Sequence, residues 1–143
     1  MMIREAIGGF LAAIGALLGY FIGGMDGLII TLIIFVSLDY VTGVMNAAFS
    51  KKLNSSVGFK GICRKVIIFC LVGVAHLLDV HVISKGSALR TAVILYYLSN
   101  EGISILENSA ALGLPIPSKL RSMLEQLKKE GEQNAKEEDT GTE

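Results

Sequence analysis

The sequence has 143 residues, 52% of them hydrophobic, with a mean hydropathy of +0.58 and a formal net charge of zero. This is too apolar for an ordinary soluble domain, and the apolar residues gather into long blocks that a globular helix does not need. The length suits one small membrane unit, and zero net charge hides a split between a basic middle and an acidic tail.

The first apolar block runs from Ala6 to Gly24 behind a single Arg4. A charged start and a short apolar core also fit a secretory signal peptide. No small-x-small cleavage site separates the block from the next span, so a membrane helix is the better reading. Gly15, Gly19 and Gly23 recur at four-residue spacing, with Gly8, Ala12 and Ala16 on a neighbouring stripe. Such rows let another backbone approach closely in lipid, so the glycines are expected to serve helix packing or oligomerisation. The pattern leaves open which of the two, and membrane helices are glycine-rich in any case.

A tight turn at 24–27 leads into a second block, 27–49, interrupted by Asp39. Thr42, Gly43, Asn46, Ala47 and Ser50 follow at three- and four-residue steps and share its face. Leu38, Val41, Met45 and Phe49 form the opposite, apolar side. The plainer alternative places Asp39 at the end of a shorter span, reaching the interface. A basic loop with no acid comes next, carrying Lys51, Lys52, Lys60, Arg64 and Lys65. Lys65 is expected to lie too near the surface to meet Asp39.

The third block, 66–83, holds His76 and Asp79 one turn apart, with Gly73 one turn earlier. These mark the outer end of a helix, a polar packing contact or a proton relay. The fourth block, 88–106, opens with Arg90 and carries Asn100, Glu101, Ser104 and Asn108 at helical spacing. It is expected to cross by packing that polar stripe against other helices; lying in the interface is the alternative. Pro115 and Pro117 end the apolar region. From Ser118 a short helix sets Leu120, Met123, Leu124 and Leu127 on one face, among Lys119, Arg121, Lys128 and Lys129. That face suits an anionic leaflet or a partner copy.

The fold class is therefore an all-α integral membrane protein of three to four transmembrane helices, four favoured. The membrane unit covers 1–114, the amphipathic cytoplasmic helix 115–130, and a disordered acidic tail 131–143. Loop charge puts the basic loop and both termini in the cytoplasm, leaving Lys85 and Arg90 outside. Cys63 and Cys70 are seven apart on one helical face and cannot bond each other; they look like small packing residues. No zinc spacing, Walker loop, GxGxxG or nucleophile elbow appears. No catalytic residue, metal, cofactor or nucleic-acid partner is expected.

The central stretch resembles the signature of phage lysis and toxin-secretion holins of Gram-positive bacteria and their phages. The likeness rests on Leu38, Asp39, Tyr40, Thr42 and Gly43, then Lys52, Leu53, Ser55 and Ser56. It continues through Gly58, Phe59, Lys60, Gly61 and Lys65 to Ala75, His76, Leu77 and Asp79. It covers roughly the middle third of the chain, and LDY-x-TG with a basic loop and GFKG is specific as a set. The resemblance implies a non-enzymatic homo-oligomer of the bacterial cytoplasmic membrane. Such proteins open lesions that let an endolysin, or a large toxin without a signal peptide, leave the cell; members are drawn with three spans. Two-start timing, which some holins use, requires a charge between the starts, and Met1 and Met2 have none. A rival reading is a small proton-coupled transporter or channel using Asp39, His76, Asp79 and Glu101; a third is a membrane anchor or assembly subunit.

Overall fold

A computed structural model describes residues 1–140, and no strand occurs among them. Five helices follow one another: α1 (Met2–Phe21), α2 (Gly27–Phe49), α3 (Ser55–Leu78), α4 (Ala88–Ala111) and α5 (Ser118–Thr140). A π-helical turn, Asp79–Ile83, prolongs α3.

Local signals set most of the boundaries. At the α1–α2 turn, Gly23 and Gly24 take φ of +83° and +93°, a region that glycine enters without steric cost. The Asp26 carboxylate then accepts the Ile29 N–H at 2.9 Å and caps α2. Asn54 caps α3 in the same way through the Val57 N–H at 2.9 Å.

That second cap overturns one expectation. Helix α3 begins at Ser55 rather than near 66, so Lys60, Arg64 and Lys65 belong to the helix and only Lys51 and Lys52 remain in the connection. Lysine and arginine are good helix formers, and Asn54 supplies the start that the basic run conceals. Helix α4 likewise continues past 106 to Ala111, ending before Gly113 at φ +90°.

The core is made where α2, α3 and α4 meet. Ile29, Leu32 and Val36 of α2 pack with Ile68 and Val72 of α3 and with Ile94 and Leu98 of α4. The outer surface is apolar: Ile30, Ile34, Leu38, Val41 and Met45 on α2, and Val66, Ile67 and Val74 on α3, are exposed. The face of α2 read as greasy therefore points outward, as a lipid-facing surface requires. Helix α1 buries no residue. It is tied to the bundle at its C-terminal end, where the Phe21 ring occupies the space a side chain at Gly73 would fill.

Among the described residues, three helices are long and apolar enough to cross a membrane: Met2–Phe21, Gly27–Phe49 and Ser55–Ile83. Helix α4 does not meet that composition, so three spans rather than four stand on length and hydropathy.

Helix α5 departs further from expectation. It runs to Thr140, where an end near 130 and a disordered tail are expected; residues 141–143 lie outside the described part. Its polar sequence has little to hold it helical alone. Packing supplies the reason: Gly131 is buried, and a Cβ there would stand 3.0 Å from the Ala92 carbonyl oxygen and the Tyr96 nitrogen. The missing side chain lets α5 lie directly on the α4 backbone. Leu124 and half-buried Leu127 face inward, whereas Leu120 and Met123 are exposed.

Candidate functional site

Two polar clusters lie along the seam between α4 and the pair α2–α3. In the first, the Lys65 ammonium on α3 bridges the carboxylates of Asp39 on α2 and Glu101 on α4. Asp39 is buried and stands ten residues before the end of α2, so it is not a helix terminus. Its second oxygen accepts from the Asn108 amide at 3.3 Å, which also donates to the Thr42 hydroxyl at 3.1 Å. The expectation that Lys65 stays near the surface is corrected. Because α3 starts at Ser55, Lys65 sits three turns inside the helix and reaches both acids. Two carboxylates against one ammonium leave the cluster with an excess of one acid.

Small residues make this approach possible. A Cβ at Gly61 would stand 3.3 Å from the Tyr40 ring, and one at Gly58 3.5 Å from its hydroxyl. Tyr40 of α2 thus seats on the glycines of α3, drawing Asp39 toward Lys65. A Cβ at Gly43 would lie 3.6 Å from the Asn108 amide nitrogen. An open cleft of about 240 Å³ remains here, lined by Asp39, Gly43, Gly58, Gly61, Lys65 and Asn108. Asn46 and Asn100 are half-buried.

The second cluster holds the opposite end of the seam. Asp79 is 1% exposed, and its carboxylate accepts the backbone N–H groups of Arg90 at 2.7 Å and Leu89 at 3.2 Å. It therefore caps α4 from a different helix, where Ser87 makes no side-chain cap of its own. The Arg90 guanidinium grips the α1–α2 turn: it donates to the Ile22 carbonyl at 2.6 Å, the Gly24 carbonyl at 3.2 Å and the Asp26 carboxylate at 2.6 Å. The Arg90 hydrogen bond holds the Asp26 carboxyl below its ordinary range, against the opposing effect of burial. His76 turns toward α1, its ring edge-on to Tyr20 with centroids 6.3 Å apart, while the Tyr20 hydroxyl meets His81 Nε2 at 3.1 Å. His76 and Asp79 thus serve different neighbours.

The remaining candidate residues are scattered. Gly15 and Gly19 lie open on α1, where an added Cβ meets nothing within 4 Å; Gly23 falls beyond the helix, against Arg90 and His76. Lys51, Lys52, Lys60 and Arg64 are exposed. Cys63 and Cys70 are free thiols. Among the described residues, no three His, Cys, Asp or Glu side chains are placed to hold a metal. Sequence reasoning missed the bridge at Lys65 and the grip of Arg90. The available signal was charge balance: acids in two apolar blocks require a cation between them.

An inward-facing ionic seam under an apolar exterior is the arrangement of a membrane protein, and comparison with known sequences gives its kind. The bacteriophage holin family profile matches residues 16–129. The chain belongs to the bacteriophage holin family. An uncharacterised 14.9 kDa protein of Clostridium perfringens is 44% identical over 118 residues, covering 82% of this chain and 89% of that one. An uncharacterised Listeria monocytogenes protein is 39% identical, with 77% and 78% covered. A protein of Bacillus phage phi105 named a probable holin is 33% identical over 102 residues, 71% of this chain and 75% of its own. No solved structure matches. Holins permeabilise membranes and catalyse no reaction. In this chain the LDY-x-TG stretch meets the GFKG stretch and the turn after it: Tyr40 lies against Gly58 and Gly61, and Asp39 pairs with Lys65.

Proposed function

We propose that this holin accumulates in the bacterial cytoplasmic membrane, assembles with copies of itself, and opens lesions through which an endolysin or a signal-less toxin escapes. The observation that carries the reading is the Asp39–Lys65–Glu101 cluster, sheltered inside a bundle whose α2 and α3 surfaces are apolar. A carboxylate near mid-membrane costs about 2.5–3.5 kcal/mol on insertion scales. The bundle offsets that cost by turning three polar stripes toward one another. In a crowded assembly the same stripes can part and face water, so one sequence serves a lipid-embedded state and a wet one.

Helix α4 fits as a fourth span. It touches Asp26 through Arg90 and Thr42 through Asn108, a run of about 27 Å at 1.5 Å per residue. That approaches the thickness of the hydrocarbon core, about 30 Å. Its polar side chains lie in the seam, which is why hydropathy alone discounts it. Gly15 and Gly19, open on the unburied α1, supply a surface for a second copy. The proton-transport reading loses support, because Asp79 caps α4 and Asp39 and Glu101 share one ammonium.

Inducible expression beside a cytoplasmic endolysin tests the function. Growth should stop abruptly after a delay, with loss of membrane potential and release of the endolysin. Accumulation in the membrane with potential intact and no release would overturn the proposal.

A further inference from the structure

Among the described residues, the backbone of helix α5 is seated on that of α4. Leu124 fills the space beside Gly102, Gly131 lies on the backbone at Ala92 and Tyr96, and Lys128 stands 5.6 Å from the centre of the Tyr96 ring. Residues 124–131 therefore run level with 92–102 of α4, whose Ile94 and Leu98 form the bundle core with Ile29, Leu32 and Val36 in the first half of α2 and with Ile68 and Val72 in the middle of α3. Away from α4, this stretch of α5 exposes Glu125, Lys129 and Glu130, with Glu132 just beyond. If α2 and α3 are immersed in lipid, those charges sit at the depth of the hydrocarbon, which excludes them strongly. The surface of α4 beneath α5 carries no such difficulty: Ala92, Leu95, Tyr96 and Gly102 suit lipid or a neighbouring helix. Toward α3 the seat is incomplete, leaving a cavity of about 760 Å³ lined by Leu71, Val74, Leu78, Tyr97 and Ala135 among others.

We propose that α5 is a strap with two positions. It seats on α4 only where its charged face meets water within the membrane, in the wall of an open lesion, and it lies at the membrane surface while the protein is dispersed. The inference rests on the lesion-forming function proposed above. Seating then does two things at once: it turns an apolar face of α4 into a charged wall, and it fixes that wall through the contact at Gly131.

The test is a cross-link across the seat in a chain with Cys63 and Cys70 replaced by serine. Lys128 stands over Tyr96, so a pair of cysteines at these two positions reports the seat and leaves the close contact at Gly131 intact. With Tyr96→Cys and Lys128→Cys, a short bis-maleimide added to membranes should join almost none of the protein internally before endolysin release and most of it after. A second chain adds Glu125→Leu, Lys129→Leu, Glu130→Leu and Glu132→Leu, making the outer face tolerable to lipid. It should cross-link equally before and after induction of lysis and release endolysin late or not at all. Equal cross-linking at both times in the charged chain, or none at either, overturns the strap while leaving the holin function standing. Failure of the unsubstituted chain to release endolysin overturns that function and the strap with it.

Discussion

Lys65 matters more to the fold than either acid it binds. Removing Asp39 leaves Lys65 paired with Glu101, one charge against one. Removing Lys65 leaves two carboxylates facing each other in a buried seam, and breaking a buried pair costs about 3–5 kcal/mol. Lys65→Met should therefore lose membrane abundance sharply, whereas Asp39→Leu should accumulate normally and fail to lyse. Quantitative immunoblots of membranes, read beside lysis timing, check the order; equal abundance of the two would show that the bridge does not hold the bundle. Asp26 provides a pH-dependent contact outside the spans. Because its carboxyl is held below the ordinary value of 3.8, the ionised form stabilises the folded state above that pH. The contribution disappears as pH falls through the lowered value. Asp26→Asn keeps an N-cap and removes the charge, so its melting temperature in detergent should decline less than that of the parent below pH 3.8. Half-exposure of the Asp26 side chain keeps the difference small.

Glycines on two helices do opposite things. Gly61 is filled by a neighbour, with Tyr40 at 3.3 Å from any Cβ, while Gly19 faces open space. Gly61→Leu should push α2 from α3 and lower abundance. Gly19→Leu should insert normally and delay or abolish lesion formation at equal abundance, which lysis timing at matched membrane levels checks; unchanged timing would remove α1 as an assembly surface. The sequence distinguishes these helices unevenly. The span 27–49 is legible because Asp26 and the preceding glycines punctuate its start and its apolar face alternates cleanly with a polar one. The start of α3 is not, because a run of lysines beside serines and glycine reads as loop until Asn54 is seen to cap it. Asp39 and Glu101 stand out as acids in apolar blocks, but their partner hides among residues grouped as loop cations. Helix α5 past 130 is illegible for a different reason. Its stability lies in a backbone contact at Gly131, a residue that ordinarily argues against helix.

The arrangement of charge around the bundle fixes how it should sit in the membrane. Exposed cations at one end are Lys51, Lys52, Lys60 and Arg64, with Lys119 following α4. At the other end stand Lys85 and Arg90, and Arg90 is neutralised by Asp26. Lysine and arginine are retained in the cytoplasm, so the Lys52 end should face inward. Crossing by α4 then brings Lys119 back to the same side; a chain with only three spans would leave it outside. Single cysteines at Lys52→Cys, Lys85→Cys and Lys119→Cys, with Cys63 and Cys70 replaced by serine, separate these cases with an impermeant thiol reagent. The measurement must precede any lesion, since the reagent enters once one opens. In intact cells position 85 should react, while positions 52 and 119 should react only after permeabilisation. Labelling at 52 would invert the whole topology. Labelling at 119 together with 85, and not at 52, would keep the orientation but show that α4 does not cross, and the Glu101 contact would then lie outside the bilayer.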